Sequence, residues 1–355
     1  MAFLFADSFE TAPTGIFSTD GPLRGWSSAS WGDITTVEFK DGTQCLRLEG
    51  NESAAWEIPV ADEPGPVTPG FLSFWFRMQT VPTSRRTIAG FNSSGSYILV
   101  FVVEADGTLQ WRFNSADVGP ASTLSLVDDV WYHIEVKFEF VDSTSVGSCV
   151  IYVDGVEWVD LGAGIDTAFI SFNETEGFRF HGQGLAGTFF WFDSPIFWNG
   201  VAGDDWNDLR GIIRCETKAP DANGQDADFV GSDGNSVDNY LQVDEINDLH
   251  DGDTTYNESP TDAANDSYNF PDIVASDVQA IIGVQVAMVS KKTGAGALDL
   301  TPFFVDGGID HLGTEHVLTN GTYTFGSHMY DEDPEATAAW TAAKISSGHF
   351  GLRVT

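Results

Sequence analysis

The stretch Trp131-Tyr132-His133-Ile134-Glu135-Val136-Lys137-Phe138-Glu139-Phe140 decides the fold: Ile134, Val136, Phe138 and Phe140 alternate with His133, Glu135, Lys137 and Glu139. Successive side chains of a strand point to opposite faces, so this segment carries one apolar face and one polar face. A helix would spread the same charges around its circumference. Neighbouring stretches share the period. Leu72, Phe74, Phe76 and Met78 alternate with Ser73, Trp75, Arg77 and Gln79, and Leu109, Trp111 and Phe113 alternate with Gln110 and Arg112. The pattern predicts a mainly β protein built from antiparallel sheets, dry on the inner side and wet on the outer.

Turn chemistry agrees. Asp154-Gly155 lies between residues 149–153 and 156–159, and both positions of such a two-residue hairpin turn favour positive φ. Asp106-Gly107 and Asp41-Gly42 read the same way. Many short strands separated by Gly, Pro, Ser and Asp point to sandwiches rather than to a parallel sheet with helices. The aromatic run 187–198 reads as the closing strands of a first domain, lying beside residues 3–9. A boundary is expected near Asp205-Trp206, giving domains 1–205 and 206–355. The second is expected to be a smaller sandwich, with a long strand over 277–288 and one short helix near 333–345. In that helix Asp333 would be the N-cap and Pro334 the first helical residue.

The chain has 355 residues, 42% of them apolar and 13% aromatic, which is ample for packed cores. Its first residues lack the basic start and apolar length of a signal peptide, so synthesis in the cytoplasm is expected. No apolar run approaches a membrane span. Cys45, Cys149 and Cys215 are too few and too dispersed for a disulfide framework or a zinc site. Against 53 acids stand 16 lysines and arginines, a net charge of −37. Such a polyanion repels nucleic acid and anionic membranes, so neither is an expected partner.

The order Gly70 to Gln79 (GFLSFWFRMQ), residues 87–91, 97–103 and 108–113, WYHIEVKFEF and VIYVDGVEW at 150–158 resembles the laminin G-like, concanavalin A-like jelly rolls. The resemblance covers about residues 1–200 and implies a jelly-roll fold. The stretches DDWNDLRG (204–211), DGDTTYNES (251–259) and DPEATAAWTAAKISSGHFGLRV (333–354) look like a module of tailed bacterial and archaeal virus structural proteins. That resemblance implies a virion-surface location, assembly in the host cytoplasm, and contacts with other virion proteins and with further copies of the chain.

Candidate chemistry is sparse. Jelly-roll glycosidases carry paired carboxylates along one strand; here Glu135 and Glu139 have Lys137 between them, and Asp244, Glu245 and Asp248 lack a flanking apolar strand. No paired-histidine or Gly-x-Ser-x-Gly motif is present. His133, His311 and His316 read as structural residues. Trp26, Trp31 and Trp56 fall in loop-rich or edge-like stretches and are candidates for stacking on a pyranose ring; capping the ends of the sandwich is the structural alternative. Asp221, Asn223, Asp226, Asp228 and Asp233 supply hard oxygen ligands, making calcium the candidate cofactor, although their spacing is not that of an EF-hand and a solvated acidic loop would look the same.

These readings combine into a non-enzymatic virion structural protein that binds host glycan through many weak contacts, in a tail fibre or receptor-binding position. A capsid decoration or head spike is the alternative, and a free carbohydrate-binding protein or glycosidase is the second. The acid excess further points to a protein suited to seawater or stronger brine, with an acidic surface kept for solubility as the alternative. Salt shortens the Debye length from about 8 Å at physiological strength to about 3 Å near 1 M and relieves self-repulsion. The melting temperature should therefore climb as sodium chloride is raised; full stability and solubility in dilute, divalent-free buffer would refute this.

Overall fold

The computed structural model describes residues 3–7, 9, 15–17, 26–40, 42–57, 70–93, 96–113, 116–139, 147–162, 177–182, 184, 186–200, 208–245, 252–276, 278–294 and 298–355. The chain divides into two compact units, Met1–Glu216 and Thr217–Thr355. Both are mainly β, as the alternation predicts. Among the described residues no helix is long and apolar enough to cross a membrane.

Unit 1 holds strands β1 (Phe3–Ala6), β2 (Gly15–Phe17), β3 (Trp26–Thr35), β4 (Cys45–Glu57), β5 (Gly70–Met78), β6 (Arg86–Ser93) and β7 (Ser96–Val103). It continues with β8 (Leu109–Phe113), β9 (Ala116–Val118), β10 (Tyr132–Glu139), β11 (Ser148–Val153), β12 (Val156–Asp160), β13 (Gly177–His181) and β14 (Phe189–Asn199). One curled antiparallel sheet runs β12-β11-β10-β5-β14-β4-β13-β6-β7-β8-β9, with β1 on β14 and β2 on β3. The long strand β4 pairs with β14 through residues 46–49 and with β13 through 53–57. It thereby carries the sheet from one layer into the other.

Alternation then fills the space between the layers. Phe74 of β5 packs its ring 4.8 Å from Phe180 and 5.9 Å from Phe192, and Phe91 lies 4.3 Å from Phe138 across the layers. All five are fully buried. The Asp154-Gly155 turn takes φ values of 51° and 77°, the doubly positive geometry that its sequence predicts.

Unit 2 is smaller. Strands β15 (Ala222–Ala227), β18 (Asn265–Asn269), β23 (His349–Val354), β20 (Leu300–Asp306) and β21 (Ile309–Leu312) form a five-stranded sheet in that order. Two further pairs are β16 (Val230–Gly231) with β17 (Asn257–Glu258), and β19 (Val284–Ser290) with β22 (Thr324–Tyr330). Phe304, Tyr330, Trp340 and Phe350 form its buried aromatic cluster. At the heart of the unit Asp266, fully buried, accepts hydrogen bonds from Asn239 Nδ2 at 2.9 and 3.0 Å and from the Tyr268 hydroxyl at 2.5 Å. These donors compensate a carboxyl whose pKa burial pushes up to about 6.

Two local expectations shift. The helix (α1) spans Ala342–Ser347, with Thr341 rather than Asp333 as the N-cap. Asp333 Oδ1 instead accepts the Glu335 N–H at 3.0 Å, and backbone bonds to Thr337 and Ala338 close a tight turn. Trp340 is fixed in the core by its indole bond to Tyr330 O, 3.0 Å long, so helical geometry starts only after it. The expected long strand is also shorter: regular pairing begins at Val284, just after Gly283, and Ile281 makes only an isolated bridge to Trp340. Because Phe74 lies at the centre of the unit 1 core, Phe74→Ala should lower the unfolding free energy of that unit by about 3–5 kcal/mol. A loss under about 1 kcal/mol in chemical denaturation would contradict the packing described.

Candidate functional site

The outer face of the β3-β4-β14-β5-β10 sheet follows from the same alternation. If Leu48, Phe190, Phe192 and Phe76 point inward, the residues between them point outward. Register aligns them into rows. Asp33, Arg47, Trp191 and Arg77 stand side by side across β3, β4, β14 and β5. The next row is Asp193, Trp75 and His133, and the one after it contains Ser73 and Glu135.

Arg47, Trp191 and Arg77 of the first row form the floor of a groove of roughly 270 Å³, lined also by Thr35, Val37, Glu38, Gln79, Asp129 and Phe189. The Arg77 guanidinium lies 5.0 Å from the centre of the Trp191 ring and that of Arg47 lies 4.5 Å over Phe189. Arg77 is also paired with Glu38 and, at 3.0 Å, with Asp129, while Arg47 is paired with Asp33. Only 12% of the Arg77 side chain is exposed. Stacking and ion pairing together hold both guanidinium groups in place. Two guanidinium groups and two carboxylates, Glu38 and Asp129, line the groove and leave it without net charge. It is suited to a neutral ligand that has apolar faces and many hydroxyls.

The second and third rows are covered. Residues 208–216, the last segment of unit 1, cross the outer face of β10. Glu135 accepts the Arg210 N–H at 2.6 Å and the Gly211 N–H at 3.2 Å. His133 Nε2 lies 2.8 Å from Ser73 Oγ and accepts the Ile213 N–H at 3.4 Å. The supposed wet face of β10 is therefore closed, with His133 1% and Glu135 2% exposed. Burial pushes the Glu135 carboxyl up to about 7, against the pull of its two N–H donors, and pushes the His133 imidazole down to about 4. With Nε2 accepting, the neutral ring carries its proton on Nδ1, and that buried N–H has no partner among the described residues.

The residues singled out from sequence lie elsewhere. Trp26 and Trp31 belong to β3 and Trp56 to β4, strands rather than loops, and Trp26 pairs in register with Trp56; their side chains are outside the described residues. Glu139 ends β10, and Lys137 lies 3.7 Å from Asp208. Asp248 is outside the described residues. In unit 2, Asn223 Oδ1 accepts the Tyr240 N–H at 3.0 Å and Asp228 accepts the Asn265 N–H at 3.1 Å. Asp226 Oδ2 lies 3.3 Å from Ser267 Oγ, and Asp233 accepts both nitrogens of Asn235. Asp221 precedes β15, its N–H bonded to Asn269 O at 3.0 Å. Among the described residues no group of three or more His, Cys, Asp or Glu side chains is arranged to hold a metal ion. Glu38, Arg47, Asp129 and Trp191 were not singled out from sequence. The available signal was an outward face carrying Trp and Arg at positions 75, 77 and 191.

Residues 58–192 match the family described as the concanavalin A-like lectin/glucanases superfamily. Over those residues unit 1 is similar to this superfamily, and its curled antiparallel sheet is consistent with a jelly roll. No curated protein matches the sequence. Among solved structures, alginate lyase Aly36B is similar at 15% identity and TM-score 0.40, over 60% of this chain and 98% of that one. The carbohydrate esterase of Shiga toxin-encoding bacteriophage phi24B is similar at 10% identity and TM-score 0.35, over 55% and 99%. Trypanosoma rangeli sialidase is similar at 16% identity and TM-score 0.34, over 48% of this chain and only 27% of the sialidase. The expectation of a protein without catalytic activity is withdrawn. The matched superfamily takes in glucanases as well as lectins.

The buried carboxyl sets a pH test. A folded-state pKa near 7, above the ordinary 4.5, means that the stability linked to Glu135 is present at low pH and is lost between about pH 4.5 and 7. His133 and His181, both pushed down to about 4 by burial, give the opposite slope, so the comparison must be with a variant. Glu135→Gln should gain stability relative to the wild type as pH rises through this window, by about 3 kcal/mol in all. A difference independent of pH would show that the carboxyl is not buried as described.

Proposed function

We propose that this chain is a surface protein of a tailed-virus particle and that its concanavalin A-like domain holds neutral host glycan in the groove at Arg47, Trp191 and Arg77. The observation that carries the reading is the row of two stacked, ion-paired arginines flanking Trp191 in register on the open face of a lectin-type fold. Fixed guanidinium donors satisfy hydroxyls without a fresh ordering cost, and the surrounding apolar surface receives the faces of a sugar ring. A chain of net charge −37 repels polyanionic polysaccharides, which favours uncharged hexose polymers. The particle location is supported by the resemblance of residues 206–355 to tailed-virus structural modules. Many copies on one particle would turn weak single contacts into firm attachment.

A second reading is that the groove also processes its glycan. Glu38 and Asp129, both paired with Arg77, bring two carboxylates to one groove, the minimum equipment for glycoside cleavage. Release of reducing ends, lost on Glu38→Gln, would select this reading.

For the binding reading, laminari-, cello- and malto-oligosaccharides are the probes, with alginate oligosaccharides as the charged control. At least one neutral series should bind, and Arg77→Leu should weaken it tenfold or more, about 1.4 kcal/mol. Equal binding by Arg77→Leu would remove the groove from consideration. Mass spectrometry of purified particles should find the chain in fixed stoichiometry with the major capsid or tail protein, and its absence from particles would sink the proposed location.

A further inference from the structure

The strap at residues 208–216 covers the direct continuation of the groove. Trp75 and His133 are one row below the groove floor, and Ser73 and Glu135 two rows below it. Neighbouring rows on one face of a strand are about 7 Å apart. What the strap offers these residues is unusual. Two successive main-chain N–H groups, of Arg210 and Gly211, meet the two oxygens of the Glu135 carboxylate, Oε1 at 2.6 Å and Oε2 at 3.2 Å. A third N–H, of Ile213, reaches His133 Nε2 at 3.4 Å, where the Ser73 hydroxyl also approaches at 2.8 Å. A vicinal diol presents a carboxylate with the same pair of donors, and a neighbouring hydroxyl can supply the third.

The covered arrangement also leaves polar groups unsatisfied. His133 Nδ1 and the indole Nε1 of Trp75, in residues 1% and 7% exposed, have no hydrogen-bond partner among the described residues. Buried donors without acceptors disfavour the state that contains them. Along the strap Ile213 is buried, while Asp208, Ile212 and Arg214 around it are exposed. Gly211 takes a φ of +74°, which a residue with a side chain rarely adopts, so the segment reaches Glu135 only through a glycine at this point.

We infer that residues 208–216 occupy a second glycan subsite, built from Ser73, His133 and Glu135 with the edge of Trp75, and give way when a long neutral oligosaccharide extends from the groove. This inference rests on the glycan-binding reading of the groove. Short sugars bind the groove alone. Longer ones replace the three strap N–H donors with hydroxyls and bring acceptors to His133 Nδ1 and Trp75 Nε1. The ligand class is an uncharged oligosaccharide with vicinal hydroxyls, because the subsite already contains a carboxylate and lies in a strongly acidic chain.

The test is amide hydrogen exchange on the full chain, with and without the hexasaccharide and disaccharide of whichever neutral series binds. The hexasaccharide should speed exchange at residues 209–213 while slowing it around Arg47 and Trp191. The disaccharide should slow exchange in the groove and leave the strap unchanged. Gly211→Pro removes one donor and forbids the positive φ; it should bind the hexasaccharide about tenfold more tightly than the wild type, with disaccharide affinity unaltered. Unchanged strap exchange in wild-type protein saturated with hexasaccharide overturns the subsite while leaving the groove intact, whether or not Gly211→Pro folds. If no neutral oligosaccharide protects the groove, the glycan reading itself fails and the subsite falls with it.

Discussion

Strand β14 is hydrogen-bonded to β4 on one side and β5 on the other, and the register of those two ladders is the constraint on which the rest depends. It sends Phe190 and Phe192 into the core and, in the same stroke, sets Trp191 and Asp193 on the outer face. Slipping either ladder by one residue would exchange the two sets. Phenylalanines would then face water, and the arginine–tryptophan row would be lost. Core and groove are therefore two faces of one pairing decision, held in place by the aromatic packing between the layers.

Electrostatics follows the same geometry. A chain so rich in acids has few cations to place, and unit 1 sets several over aromatic rings of the outer face. Lys40 lies over Trp75, Arg47 over Phe189, Arg77 over Trp191 and Lys137 over Phe71. Each gains from the ring, and Arg47, Arg77 and Lys137 also pair with carboxylates, which orders the outer face. Where no side-chain cation serves, neutral donors do. Glu135 is met by backbone N–H groups, and the buried Asp266 of unit 2 by two amides and a phenol. In both cases burial outweighs the donors and leaves the carboxyl easier to protonate than usual.

Much of the fold could be read from residues alone, because β10, β5 and β8 carry clean two-residue alternation and Asp154-Gly155 dictates its turn. The same alternation placed Trp75, Arg77, His133 and Glu135 on one face. It could not say that β4 and β14 would bring Arg47 and Trp191 beside Arg77, since that depends on pairing between distant strands. Nor could it reveal the strap: the contact between Arg210 and Glu135 spans 75 residues and is made by backbone, which leaves no mark in side-chain pattern. Residues 26–31, read as loop-rich or edge-like, form a strand paired with β4, a pairing between distant segments that local pattern does not give. The misplaced helix start has a similar origin, an Asx turn at Asp333 winning over a cap.

The central claim is that the outer face of the concanavalin A-like domain binds uncharged glycan at the Arg47–Trp191–Arg77 row. Nuclear magnetic resonance of the full chain, following the Trp191 indole N–H and the backbone amides of β4, β5 and β14 as a neutral oligosaccharide is added, tests it most directly. The account predicts saturable shifts that centre on Arg47, Trp191 and Arg77 and fade away from the groove. Shifts confined to the loops or to unit 2, or no shifts with any neutral sugar, would contradict it.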